Sequence, residues 1–172
     1  MDFLEIFEGG QSKTKKLRVI KYIGSDKKRF KKLVEVFLNG DARSSQCASW
    51  PMGDIGIVHP DLITPYFEKF IEKLNEDSQH PAIYRNLLRI LMNMDIPKKH
   101  HGVLVDFSFK FITDLKYPHG IRSFAIRLAI NICKKYPEIA RELIMILDEM
   151  NKFPQPPSIK CCIRDAFKTL KR

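Results

Sequence analysis

Apolar positions in this chain fall into sets that carry a helical step and return along the sequence. After Pro60 come Leu62, Ile63, Tyr66, Phe67, Phe70, Ile71 and Leu74. The spacing returns as Val103, Leu104, Phe107, Phe111, Ile112 and Leu115, and again as Ile139, Ala140, Leu143, Ile144 and Leu147. Steps of three and four residues place each set on one face of a helix. The sets recur about every 38 residues, and such a long period marks a stacked helical repeat. A single hairpin has nothing to bury its apolar face against. Stacking supplies that burial, at about 25 cal/mol per Å² of apolar surface. A charge at Phe67, Phe107 or Leu143 is therefore expected to cost on the order of a core deletion or more.

The breaks between these sets divide the chain. Residues 1–11 read as a leader ending near Gly9 and Gly10. A helix is predicted from the candidate N-cap Ser12 to Ile23, with Leu17, Ile20 and Tyr22 or Ile23 on its apolar stripe. Gly24-Ser25-Asp26 is a stop-and-restart signal. The next helix, from Asp26 to Leu38, carries Phe30, Leu33, Val34 and Phe37 on one face, with Lys27, Lys28, Lys31 and Lys32 largely opposite. Residues 41–57 are predicted helical but irregular, with Pro51 expected to kink or interrupt them. Further helices are predicted from Pro60 to Asn75, Pro81 to Asp95, Pro97 to Lys116, Gly120 to Tyr136, Pro137 to Asn151 and Ser158 to Leu170. A polar turn is expected over 75–80 and a stiff linker over 153–157. The prolines open helices, where a missing N–H costs nothing. Connections this short make sequential helices antiparallel neighbours. The domain expectation is one repeat domain over 1–172, with pairs at 12–40, 41–77, 80–116 and 119–152 and a terminal helix at 157–171.

Arg43, Arg85, Arg122 and Lys160 stand near the starts of the first helices, 42, 37 and 38 residues apart. Asp41-Ala42-Arg43 with Cys47-Ala48, Ile121-Arg122 with Ala125, and the prolines Pro60, Pro97 and Pro137 opening second helices together resemble the HEAT and Armadillo-like helical repeat family. Pro51 suits the bent first helix of such units. The resemblance covers about residues 12–170. It implies an all-α fold: a right-handed α-α superhelix, or solenoid, of about four helix pairs plus a C-terminal helix, with the second helices lining the concave side. An interaction or scaffold module with a protein or peptide partner, and no enclosed reaction chamber, is the leading functional expectation for such an open stack.

Charge sharpens the choice of partner. The net charge is +10. Ten Lys or Arg stand between Gln11 and Lys32 against the single acid Asp26, while Val58 to Tyr117 carries eight of each sign. The tail from Pro118 carries eleven bases and five acids. Basic ends suit an acidic partner, a nucleic acid, an anionic surface or simply solvated helix faces. Lys27, Lys28, Lys31 and Lys32 form the candidate binding patch. Glu138, Glu142, Asp148 and Glu149 crowd one second helix, which argues against a continuous basic stripe.

Four cysteines without a CxxC pair read as structural thiols. With an acidic N-terminus and no apolar run long enough for a membrane span, a cytoplasmic protein is expected. His59, His80, His100, His101 and His119 lack zinc-site spacing, so no metal is expected. No phosphate loop, dinucleotide fingerprint, GxSxG or HExxH is present, so no cofactor and no catalysis are expected. One motif points elsewhere. Trp50 and Asp54, four residues apart, resemble the tryptophan–aspartate spacing of HEAT-like alkylpurine DNA glycosylases. That resemblance implies Asp54 stabilising a cationic sugar and Trp50 contacting the nucleotide. The second tryptophan of that family has no counterpart, because the chain has one Trp. Nucleic-acid binding is the alternative function.

Overall fold

The computed structural model describes residues 1–76 and 79–171. Among them every regular element is helical. The helices gather into two compact units, Met1–Met94 and Asp95–Arg172, with the division inside the predicted 80–116 pair.

The N-terminal unit contains α1 (Phe3–Phe7), α2 (Lys13–Ile23), α3 (Lys27–Asn39), α4 (Ala42–Val58), α5 (Pro60–Ile63), α6 (Phe67–Asn75) and α7 (Pro81–Leu91). Its early helices begin where side chains accept the orphan N–H groups of the first turn. Ser12 accepts from the Lys15 amide at 3.1 Å, Asp26 from Arg29 at 2.9 Å and Asp41 from Ser44 at 2.7 Å. Gly24 closes α2 at φ +52°, in the left-handed region that favours glycine. On α3 the buried face is Phe30, Leu33, Val34 and Phe37, the four positions the spacing selects.

Helix α4 is the centre of this unit, packing on α1, α2, α3, α5 and α7. It runs through Pro51 without a break, so of the expected kink or interruption the interruption does not occur. Pro51 forfeits one backbone hydrogen bond, yet Cys47, Ala48, Ser49, Pro51, Met52 and Gly53 are all buried by surrounding helices. Tertiary packing therefore overrides the local defect. The small residues that make α4 look irregular let its neighbours approach. A Cβ on Gly56 would stand 2.7 Å from the side chain of Ile63, and one on Gly53 would meet Asn86 at 3.7 Å.

Three other expectations change here. The leader contains α1, whose Phe3 and Phe7 are buried, with Phe3 edge-on to Tyr22 at 6.2 Å. On α2 the buried residues are Val19 and Ile23, while Leu17 is exposed. The predicted helix from Pro60 to Asn75 is divided by a 3-10 turn at Thr64–Tyr66, because Pro65 supplies no N–H to an α-helical bond. Its apolar stripe survives the break: Leu62, Ile63, Phe67, Phe70 and Leu74 are buried. The turn predicted over 75–80 includes Asp77 and Ser78, which lie outside the described residues.

The C-terminal unit contains a 3-10 turn (Lys98–His100), α8 (His101–Thr113), α9 (His119–Cys133), α10 (Pro137–Asn151) and α11 (Pro157–Leu170). Helix α9 packs on α8, α10 and α11, and it is buried on most of its circumference, as a central helix must be. Helix α8 ends three residues before the predicted Lys116, leaving Leu115 78% exposed. Phe107 is only partly covered and Val103 is exposed; the buried face is Leu104, Val105, Ser108, Phe111 and Ile112. The cost expected for a charge at Phe107 therefore does not transfer to that position. Helix α7 stops at Leu91 rather than Asp95, and α9 stops at Cys133 rather than Tyr136.

Candidate functional site

The continuity of α4 decides the geometry of Trp50 and Asp54. Four residues apart on an unbroken helix, they share a face. What gathers beside them is a polar cluster drawn from three helices. Lys16 of α2 donates to Asp54 Oδ2 at 2.7 Å, and its Nζ lies 4.4 Å from the centre of the Trp50 ring. Arg89 of α7 donates to Asp54 Oδ1. Deeper in the same seam, Asn86 Nδ2 donates to Ser49 Oγ at 3.0 Å, both residues buried. Each carboxylate oxygen of Asp54 thus has its own cation. The cluster ties α2, α4 and α7 together and leaves Asp54 with little charge to offer a ligand.

Burial pushes the Asp54 carboxyl up, but the hydrogen bonds and charges of Lys16 and Arg89 outweigh it and hold the group below its ordinary value. A carboxylate depressed in the folded state stabilises fully above its unfolded value, near pH 4, and loses that contribution as pH falls through the folded value. Asp54→Asn should cost about 1–2 kcal/mol at neutral pH, the range of a partly exposed charge-assisted pair. In thermal melts of the two proteins, the gap should narrow as pH falls from about 6 towards 3. A gap constant across that range would show that the carboxylate is not engaged. Trp50, the chain's one tryptophan, gives a fluorescence readout at the cluster itself.

The basic patch is built differently. Lys27, Lys28, Lys31 and Lys32 are all exposed on α3. Lys31 stands 3.9 Å from Glu35 one turn on. Among the described residues, Lys27, Lys28 and Lys32 make no ion pair. Other bases of the same stretch are committed: Arg29 lies 4.5 Å over the Tyr22 ring and bonds its carbonyl at 2.7 Å, while Lys15 donates to the carbonyls of Glu8 and Gly10.

Beside the lysines, the seam between α3 and α5–α6 holds two open cavities. One, of about 260 Å³, lies among Lys27, Lys28, Phe30, Leu62, Pro65 and Tyr66. The other, of about 300 Å³, lies among Val34, Glu35, Leu38, Tyr66, Glu72 and Glu76. Tyr66 borders both. Its ring is 6.2 Å from Phe30 and 6.4 Å from Phe70, and Phe70 is edge-on to Phe37 at 5.8 Å. The predicted stripe includes Tyr66 as a core position; the structure puts it half-buried at the floor of a groove.

His101 is buried between the Tyr136 hydroxyl and the Ile96 carbonyl, each 2.8 Å from a ring nitrogen. The carbonyl can only accept, so Nε2 donates to it. Among the described residues no group of three or more His, Cys, Asp or Glu is placed to hold a metal. Burial pushes the Cys133 thiol up to about 11, with Glu142 adding to it, and burial raises Cys47 and Cys162 as well. Of the repeated bases, Arg122 alone is buried, donating to the Ile112 carbonyl at 3.1 Å at the end of α8. It satisfies an acceptor that the helix end leaves open.

Sequence reasoning found Trp50 and Asp54 but not the partners Lys16 and Arg89. The signal was present: Lys16 lies 38 residues before Asp54 and Arg89 lies 35 after it, one repeat in each direction. Among the described residues no helix is long and apolar enough to cross a membrane. A family model described as a HEAT repeat domain matches residues 8–170. No curated protein and no solved structure matches the chain.

Proposed function

This chain belongs to the HEAT repeat domain family, and on that premise we propose that it is a non-catalytic interaction module. It binds a protein or peptide partner through the basic edge of its N-terminal unit. Helix α3 carries this reading. Lys27 and Lys28 occupy its first turn, where the positive end of the helix disfavours cations by about 0.3–1 kcal/mol each. Acids belong there by local physics, and a local rule broken on the surface points to a role outside folding. The groove beside them favours polypeptide over nucleic acid. A phosphate backbone needs cations along its whole track, and Glu35, Glu72 and Glu76 line the continuation of this one. A polypeptide can alternate charges; a nucleic acid cannot.

The ion pairs on Asp54 support a scaffolding role for that residue over transition-state stabilisation. Free Cys47, Cys133, Cys161 and Cys162 fit a reducing, cytoplasmic setting. The test is site-specific photocrosslinking in cells, with the reactive residue placed at Lys28 and, as a comparison, at Trp50. The expected result is an adduct at position 28 that protease digests and nuclease leaves intact. A nuclease-sensitive adduct, or adducts at position 50 alone, would overturn the reading.

A further inference from the structure

Resting on the polypeptide-binding reading above, we propose that the seam between α3 and α5–α6 receives an extended segment of fixed polarity. Its carboxylates lie at the Lys27 end, an aliphatic or aromatic side chain sits against Tyr66, and its basic residues lie at the Glu76 end. Three observations carry this. The first is the distribution of charge. At one end Lys27, Lys28 and Lys31 face only Asp61; at the other, Glu35, Glu72 and Glu76 outnumber Lys31 and Lys69, with Glu76 paired to Lys73 at 2.8 Å. The two helical edges run in the same sense, Lys27 to Asn39 beside Asp61 to Glu76, so the charge gradient follows the groove.

The second is the apolar floor. Phe30, Leu62 and Pro65 meet Tyr66 in a cavity of about 260 Å³, room for one large apolar side chain. Tyr66 is fixed from below by Phe30 and Phe70, so the floor is formed before a ligand arrives and binding does not have to order it. The third is the state of the lysines. Lys27 and Lys28 make no ion pair among the described residues, while Arg29 between Lys28 and the next turn is already engaged by Tyr22. A short polar segment with one apolar anchor uses all of these features. Charge complementarity at both ends sets its direction.

The probe is a display library of random dodecapeptides, panned on the full chain at physiological salt, with a fluorescein-labelled oligonucleotide as a parallel probe. The expected result is enrichment of peptides ordered acid, apolar, base. A Tyr66→Ala variant that melts like the parent should weaken the enriched peptides about tenfold or more. The double surface variant Lys28→Glu with Glu72→Lys should weaken them similarly and bind peptides of reversed charge order instead. Enriched peptides without that order, or binding unchanged in both variants, would overturn the groove assignment and leave the polypeptide reading standing. Oligonucleotide binding with no peptide enriched would overturn both. Concentration-dependent self-association abolished by Lys28→Glu would instead assign the groove to a second copy of the chain.

Discussion

Phe70→Ala lowers the unfolding free energy by about 3–5 kcal/mol, the range for truncating a fully enclosed aromatic side chain. Phe70 is 0% exposed. It receives the Phe37 ring edge-on at 5.8 Å and lies under Tyr66, so its removal opens a cavity between α3 and α6. Neither helix can close the gap alone. Helix α3 is held by α4 behind it, and α6 is tied through α5 to the same helix. Aromatic pairs of this geometry add about 0.5–1.5 kcal/mol beyond area burial. Urea denaturation followed by far-ultraviolet circular dichroism gives the value. A loss under about 1 kcal/mol would mean that the seam relaxes freely, and the pre-formed floor of the groove would go with it.

Leu143→Asp is the corresponding result for the C-terminal unit. Leu143 is 0% exposed on α10. Truncation to Ala there costs about 2–5 kcal/mol. Aspartate should exceed Leu143→Ala, because its carboxylate must be desolvated without a partner or take up a proton. That proton gives the sign of a second observable. The variant's carboxyl is raised in the folded state, so its penalty shrinks as pH falls towards 4. A Leu143→Ala variant, which does not titrate, keeps its deficit. Equal losses in the two variants at neutral pH would place α10 less deeply than its apolar face implies.

How much of this was legible in the chain depended on whether one helix or two decided the matter. The face of α3 needed only its own spacing: Phe30, Leu33, Val34 and Phe37 are buried as the pattern requires. The caps at Ser12 and Asp26 are local chemistry and were readable too. Helix α4 was legible in extent, 41–57 against the observed Ala42–Val58, but its continuity was not, since Pro51, Gly53 and Gly56 look like breakers until five packed neighbours are considered. Pro65 misled in the opposite sense. The apolar stripe crosses it intact, so periodicity hides a 3-10 turn that only the missing N–H reveals. Phe107 and Leu115 carried the right spacing but lie where α8 is uncovered or already ended.

The candidate site divides the same way. Trp50 and Asp54 were visible as a pair, and their meaning was not, because Lys16 and Arg89 come from other hairpins. The repeat period itself held the missing information. Lys16 with Asp54, Ser49 with Asn86 and Arg127 with Asp165 are polar contacts 38, 37 and 38 residues apart, so complementary residues one repeat apart mark seams between hairpins. The groove at Tyr66 had no such signal, since a half-buried aromatic and a core aromatic look alike in sequence.

On the proposed function, recognition takes place at the α3–α6 seam and the Asp54 cluster serves the fold. Titration of the isotope-labelled full chain with an enriched peptide, followed by amide chemical shifts, tests it most directly. The expected shifts concentrate over residues 27–35 and 61–76, with Lys16, Trp50, Asp54 and Arg89 unmoved. Shifts centred on those four residues, with the seam silent, would contradict it.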